Sequence, residues 1–461
     1  MKNIAYRLLS AAALLLLPVA ALADTVVNST TIFRFSKDAR MGFASKTMTP
    51  FTQFLGIDSD KLGDGNLSVH LYGWGRLDLA DKSFNNDQAD GSLTYGYLKY
   101  SFKHANAQVR GGRFSVNEGM INEMIDGLSI RTDLPLGFGF STFGGANVHT
   151  AHIPGERTDG KGDGIFGGRL NYRYAGMLEM GLSGIYESTA PAISLNAYKR
   201  NDGSPIFPLT PDGSRAKITD HRLIGVDAWF SPVQMIEITG HTSYNTETAG
   251  VSEHAYLFNL KPFRDLVLTG EFNEYRGHDL FSSSVMFKSL INSLNDKSRT
   301  TGSSASYSLF KGVELATDYR HYTRDFGNAD RVGGELRFTM QEKNTFRSGI
   351  GYHHLRAGSN FAVIPSATDS SASFHDLRGY AMFDTRSCFG SFDAIGYFFE
   401  KPINSVSSSW ELSTSFGYHL TPALSLSGDL SYGKNPQFID DLKGLIRLTY
   451  NINYSGKGGA K

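Results

Sequence analysis

The sequence predicts an all-β protein, a transmembrane antiparallel β-barrel of about 20 strands with short periplasmic turns and long extracellular loops. Three observations predict it. An export signal opens the chain, apolar residues then recur at every second position over stretches of about ten residues, and tight and extended connections alternate between those stretches. Period two marks a strand, because successive side chains point to opposite faces. Soluble strands usually run about five or six residues, whereas a tilted membrane strand needs roughly nine to eleven.

Lys2 and Arg7 precede an apolar run from Leu8 to Ala21, which closes with Ala21-Leu22-Ala23 before Asp24. Residues 1–23 therefore read as a cleaved signal peptide, with the mature chain beginning near Asp24. The residue after the cut is Asp24 and not cysteine, which argues against a lipid anchor. No later segment approaches the eighteen or so consecutive apolar residues of a membrane helix, so any further crossing must be made by strands closed into a barrel.

Residues 24–65 are polar and irregular and read as a separate N-terminal periplasmic or lumen segment. Within it Asp58-Ser59-Asp60-Lys61-Leu62-Gly63-Asp64 faintly resembles a calcium loop, but Leu62 and Val69 stand where oxygen ligands belong, so a polar turn is the preferred reading and no metal is assigned.

Residues 66–455 carry the barrel. The tight turns expected in order are His104-Ala105-Asn106, Thr132 to Leu136, Ala175-Gly176, Ser231 to Gln234, Lys261 to Asp265, Lys311-Gly312, Gln341 to Asn344, Arg386 to Gly390 and Leu420 to Pro422. Between them fall longer connections, at 80–90, 117–126, 145–163, 188–218, 246–249, 276–298, 325–328, 356–372, 401–405 and 433–438. An even strand number with both ends periplasmic follows from this alternation. In the 276–298 loop, Phe287, Leu290, Ile291 and Leu294 recur at helical spacing, as in a short amphipathic helix able to fold inward and constrict the pore. Four prolines, Pro191, Pro205, Pro208 and Pro211, order the 188–218 loop without regular structure. A tail at 456–461 ends the chain.

The last strand shows the two faces plainly. Leu442, Gly444, Ile446, Leu448, Tyr450, Ile452 and Tyr454 share one face, while Lys443, Arg447, Thr449, Asn451 and Asn453 share the other. With the apolar face against lipid, the mid-strand charges become pore-lining: Arg76, Asp78, Arg169, Arg173, Glu179, Asp227, Glu237, Glu271, Asp318, Arg320, Arg331, Glu335, Arg337, Arg347, Asp376, Arg378, Asp393, Glu411, Asp429, Lys443 and Arg447. An Arg or Lys facing lipid at midplane would cost roughly 2–4 kcal/mol, so the segregation has a physical cause. Both signs occur, which fits a ladder of ion pairs bracing a wet wall. Tyr172, Tyr174, Phe230, Tyr244, Tyr319, Tyr418 and Tyr432 suit the aromatic girdles at the two interfaces.

Composition agrees with a large Gly-rich, aromatic-rich barrel: 461 residues include 50 Gly, 32 Phe and 22 Tyr, and the formal net charge is zero. That neutral balance gives no basis for nucleic-acid binding. The single cysteine, Cys388, cannot form an intrachain disulfide, and there is no C-x-x-C-H for attaching a haem. Nucleophile-elbow, zincin and phosphate-loop motifs are also missing, so the chain is expected to be no enzyme and to carry no cofactor of its own.

The stretch Leu67-Ser68-Val69-His70-Leu71-Tyr72-Gly73-Trp74-Gly75-Arg76, with Gly112-Arg113-Phe114 and Ile125-Asp126-Gly127-Leu128, resembles outer-membrane channel proteins (porins) of metal-reducing deltaproteobacteria. The resemblance spans the barrel on loose motifs, and the terminal aromatic of outer-membrane proteins is replaced here by Tyr454 and a polar tail. It implies one of two functions. The first is a porin-like channel giving small solutes or ions an aqueous path across the outer membrane. The alternative is the barrel sheath of a porin–cytochrome complex, in which a partner multihaem c-type cytochrome carries the electrons. The partners implied are outer-membrane lipid and, for the sheath, that cytochrome; homo-oligomerisation is left open.

Overall fold

The computed structural model describes residues 24–38, 46–80, 88–148, 164–188, 221–246, 249–276, 297–324, 327–341, 344–358, 373–403, 405–436 and 438–454. The signal peptide, the C-terminal tail, the proline-bearing loop and the amphipathic segment at 287–294 lie outside these residues. The described chain is almost entirely strand. The first five strands are β1 (Thr25–Asp38), β2 (Lys46–Met48), β3 (Pro50–Leu62), β4 (Leu67–Asp78) and β5 (Ala89–Phe102). Next come β6 (Ala107–Glu118), β7 (Ile121–Asp133), β8 (Phe138–Asn147), β9 (Gly164–Tyr174), β10 (Leu178–Ser188) and β11 (His221–Val233). They are followed by β12 (Ile236–Asn245), β13 (Gly250–Phe263), β14 (Leu266–Arg276), β15 (Lys297–Phe310), β16 (Val313–Arg324) and β17 (Gly327–Gln341). The last six are β18 (Thr345–Ala357), β19 (Phe374–Asp384), β20 (Cys388–Ile403), β21 (Val406–Thr421), β22 (Leu424–Asn435) and β23 (Phe438–Tyr454).

From β3 onward each strand pairs antiparallel with the next, and β23 returns to β1 in a register running from Thr25↔Tyr454 to Ser36↔Lys443. On its other edge β1 pairs with β3 and, at its far end, with the short β2, which only Thr49 separates from β3. Counting β2 and β3 as one wall strand gives a closed barrel of 22 strands. Closure leaves the sheet without a terminal strand, as a lipid-embedded sheet requires.

Strands β4 to β23 are the twenty expected from the sequence, and all nine expected tight turns fall between consecutive strands. Two expectations need correction. The segment 24–65 is not separate from the barrel: Thr25–Asp38 and Pro50–Leu62 are wall strands. Its outward face carries Ser29, Thr31 and Gln53, whose polarity dilutes the alternation. These groups satisfy one another, Thr31 donating to Gln53 Oε1 at 2.6 Å and the Gln53 amide to Ser29 Oγ at 2.9 Å. Nor is 117–126 a long loop, because β6 and β7 form a continuous hairpin, paired from Ala107↔Thr132 to Glu118↔Ile121, with Gly119 and Met120 at its tip.

Large apolar side chains stand exposed along one face of the wall, among them Leu128, Phe166, Ile224, Ile350 and Ile446. On a closed barrel this is the face that meets lipid. The largest cluster of buried apolar residues lies on the other face, inside, where the β6–β7 hairpin packs, and a smaller one joins Ala329 and Leu355.

Candidate functional site

Strand β6 follows β5 only from Phe102↔Ala107 to Gly96↔Arg113, and β7 follows β8 only up to Ile125↔Asn147. Beyond those pairs the hairpin leaves the wall. Gly112 sits there at φ +125°, in backbone that L side chains rarely adopt, and a Cβ on Gly112 or on Gly127 would drive into the carbonyl of Gly96 or Gly144. Arg113 seals the departure. It binds Asp126 in a two-pronged pair at 2.7 Å and donates to the Leu93 carbonyl at 2.9 Å, on the edge of β5 that β6 has left.

Past that point the hairpin lies along the inner faces of β8 to β11. Phe114, Val116, Ile121 and Ile125 of the hairpin pack with Phe143, Ile165 and Ile185 of the wall in one buried cluster, bordered by Tyr97, Met120 and Leu223. Ile125 is 0% and Phe114 1% exposed. At about 1.5–3 kcal/mol per fully buried apolar side chain, the four hairpin residues hold it firmly against the wall. Polar contacts finish the seat: the Ser141 hydroxyl donates to Glu118, and the tip Gly119 abuts Arg169, Ser183 and Asp227. The lumen is thereby narrowed on one side by chain that was read as a loop. Within each strand Phe114 and Val116, and Ile121 and Ile125, fall on one face as they would in the wall, and Gly112 stands opposite Gly127 where the hairpin departs, so the sequence alone does not set the hairpin apart.

Below the tip, Arg169 bridges Asp227 and Glu179, with Glu179 also bound by Arg173 at 3.0 Å. Trp229 donates its indole N–H to Glu237 at 3.1 Å. A cavity of about 400 Å³ opens beside these groups, lined by Arg169, Glu179, Asp227, Trp229, His241 and Glu271 among others.

The charges of β14 to β20 form a second, denser array. Arg320 pairs with Glu271 at 2.5 Å and with Asp318 at 3.5 Å, and Arg331 reaches Asp318 at 3.1 Å. His353 sits between Asp318 and Asp376, its two ring nitrogens 3.0 and 3.1 Å from their carboxylates. Arg337 joins Glu335 and Glu314, both at 3.0 Å, and Arg378 joins Asp393 at 2.5 Å. A cavity of about 530 Å³ lies over this array. Each expected charge thus stands on the face opposite the apolar belt, and most are brought into pairs across neighbouring strands.

The remaining expected residues are more dispersed. Arg76 approaches Asp90 at 3.9 Å, and Asp78, 1% exposed, caps the strand end by accepting from the Thr49 and Ala80 amides. Glu411 accepts from the hydroxyls of Ser413 and Ser431, Arg447 meets Asp429 at 3.4 Å, and Lys443 pairs with Asp441. Arg347 stands on the same face of β18 as His353, six residues nearer the tight turn. Sequence reasoning left Glu314 out of the pore-lining set and read His353 as standing singly on a polar face, whereas it lies between two carboxylates; it also did not name the Glu274 group on the outer face, in which Lys297 and Arg299 both bind Glu274 at 2.7 Å. In the stretch expected to be a polar turn, Asp58 meets His70 at 2.8 Å and Asp64 accepts from Asn66.

The closed wall and its apolar belt decide the location. The chain is a bacterial outer-membrane β-barrel. No protein-family model matches it, and no curated protein does. Among solved structures it is similar to two mutants of the ferric enterobactin receptor PfeA of Pseudomonas aeruginosa, at TM-scores of 0.55 and 0.53 and 11% identity. Those matches cover 94% and 93% of this chain and 81% of each receptor chain. OccAB4 of Acinetobacter baumannii is matched at a TM-score of 0.44 and 10% identity over 95% of this chain and 100% of that one. At such identities the likeness to the receptor is one of fold.

Proposed function

We propose that this barrel is a passive channel, giving small solutes or ions an aqueous path through a lumen lined by the paired charges and narrowed by the β6–β7 hairpin. The observation that carries the reading is the hairpin. Barrels of sixteen to eighteen strands already leave a water-filled channel, so one of 22 needs filling if it is to select by size. Here part of that filling is the chain's own, seated by four buried apolar side chains. A sheath around a multihaem cytochrome would want that volume free, so the hairpin supports the channel over the sheath. Charges of both signs, compensated pair by pair, suit a wet path whose preference is set locally at the narrowest level. The wall residues bind and filter, and the reading assigns them no bond-making step.

Purified barrel inserted into a planar bilayer should open stable conductance steps without haem. Stoichiometric haem travelling with the barrel from native membranes, or an absence of conductance, would overturn the channel reading.

A further inference from the structure

On the outer face, at the extracellular end of the wall, β18, β19 and β20 bring together two imidazoles and a carboxylate that the channel does not use. His354 and His375 stand directly opposite in the β18–β19 register, and His375 faces Phe398 of β20, two residues before Glu400. The two rings stack at 4.2 Å with an interplanar angle of 14°, and His354 Nε2 lies 3.1 Å from Glu400 Oε1. One ligand atom from each of the three residues falls within 4.8 Å of the others. We propose that His354, His375 and Glu400 form a binding site for one divalent transition-metal ion of the zinc class.

The donor set suits such an ion. Zinc takes imidazole nitrogen and carboxylate oxygen at about 2.0–2.2 Å in a tetrahedron, whose ligand–ligand edge is then about 3.3 Å. The His354–Glu400 separation already matches that edge, and binding requires the His375 ring to turn out of its stack on His354 toward the other two ligands. Tyr352 supplies the outer support that metal-binding imidazoles need. Its hydroxyl lies 2.6 Å from His375 Nδ1, and when Nδ1–H donates to that oxygen, Nε2 is the nitrogen left with a lone pair for a metal. Three protein ligands leave the fourth position of a tetrahedron for water. The setting gives the cluster a reason to exist, because polar groups beside Ile350, Leu377 and Phe398, all exposed on the lipid belt, are costly there unless paired or ligated.

Cobalt(II) titrated into the detergent-solubilised full barrel at one equivalent should give visible d–d bands of a tetrahedral site, removed by adding zinc. His354→Ala and His375→Ala should abolish them, Tyr352→Phe should weaken affinity by about tenfold, and His254→Ala, elsewhere on the outer face, should change nothing. Heat-modifiable gel mobility checks that each variant is a folded barrel, and His375→Gln replaces any that is not. Absence of saturable binding by the wild-type barrel, or binding that persists in both histidine variants, would overturn the site.

Discussion

Two arcs of one wall treat their inner faces in opposite ways. Across β8 to β11 the upper inward positions are Phe143, Ile165, Ile185 and Leu223, and the β6–β7 hairpin covers them. Across β14 to β20 the inward positions are Glu271, Asp318, Arg320, Arg331, His353, Asp376 and Arg378, and no described segment covers them. The difference teaches what fixes the lumen's shape. Apolar inner residues bind chain and exclude water, whereas paired charges are stable facing water and so keep their side open.

The sharpest way to break that contrast is to remove the cover. Replacing residues 115–124 with a two-glycine turn should raise single-channel conductance severalfold while leaving a folded barrel, because the wall pairs of β7 with β8 are retained. Unchanged conductance in a folded variant would mean that the hairpin does not limit the path. Loosening is a milder version. Ile125→Ala removes a fully buried side chain and should weaken the seat by about 2–5 kcal/mol, seen as loss of amide-exchange protection in residues 114–124 and as excursions to a larger conductance.

The open arc makes a smaller, electrostatic prediction. Arg320 lies between Glu271 and Asp318 and is about one-third exposed. Its partly exposed pairs contribute about 1 kcal/mol or less to stability, but Arg320→Gln leaves the Glu271 carboxylate without its arginine toward the lumen, while Asp318 keeps Arg331 and His353. The reversal potential in a salt gradient should move toward cation preference, with conductance little altered. The same substitution at Arg113, which seals the wall beneath the hairpin, should instead widen the conductance distribution. If both variants behaved alike, the two arcs would not differ in kind.

The wall was legible in the sequence wherever lipid imposes period two over ten residues, as in Leu442 to Tyr450, and the charges were legible because a lipid-facing arginine is too costly to survive. The first two strands were not, since Ser29, Thr31 and Gln53 occupy lipid-facing positions through mutual hydrogen bonds that only the folded register reveals. Nor was the hairpin. Its residues alternate like wall strands, and what separates them from the wall is the backbone at Gly112, a conformation that composition does not announce. The pairing of His354 with His375 and Glu400 depends on the register of three consecutive strands, so no local motif marks it.

The smallest effect belongs to the periplasmic rim, where neither arc's chemistry applies. In the β3–β4 turn the Asp64 carboxylate accepts from the Asn66 amide and side chain, and more distantly from the Tyr100 hydroxyl, which together hold it below its ordinary range of about 3.8. A carboxylate with a lowered folded value adds stability that is present above the unfolded value and lost as pH falls through the folded one. The group is fully exposed, so water screens most of this. Asp64→Ala should therefore leave the thermal midpoint at pH 7 almost unmoved and should only slightly flatten the loss of stability below pH 4, followed by heat-modifiable mobility. A marked drop at neutral pH would show the turn to be a fixed corner on which closure of β1 against β3 depends.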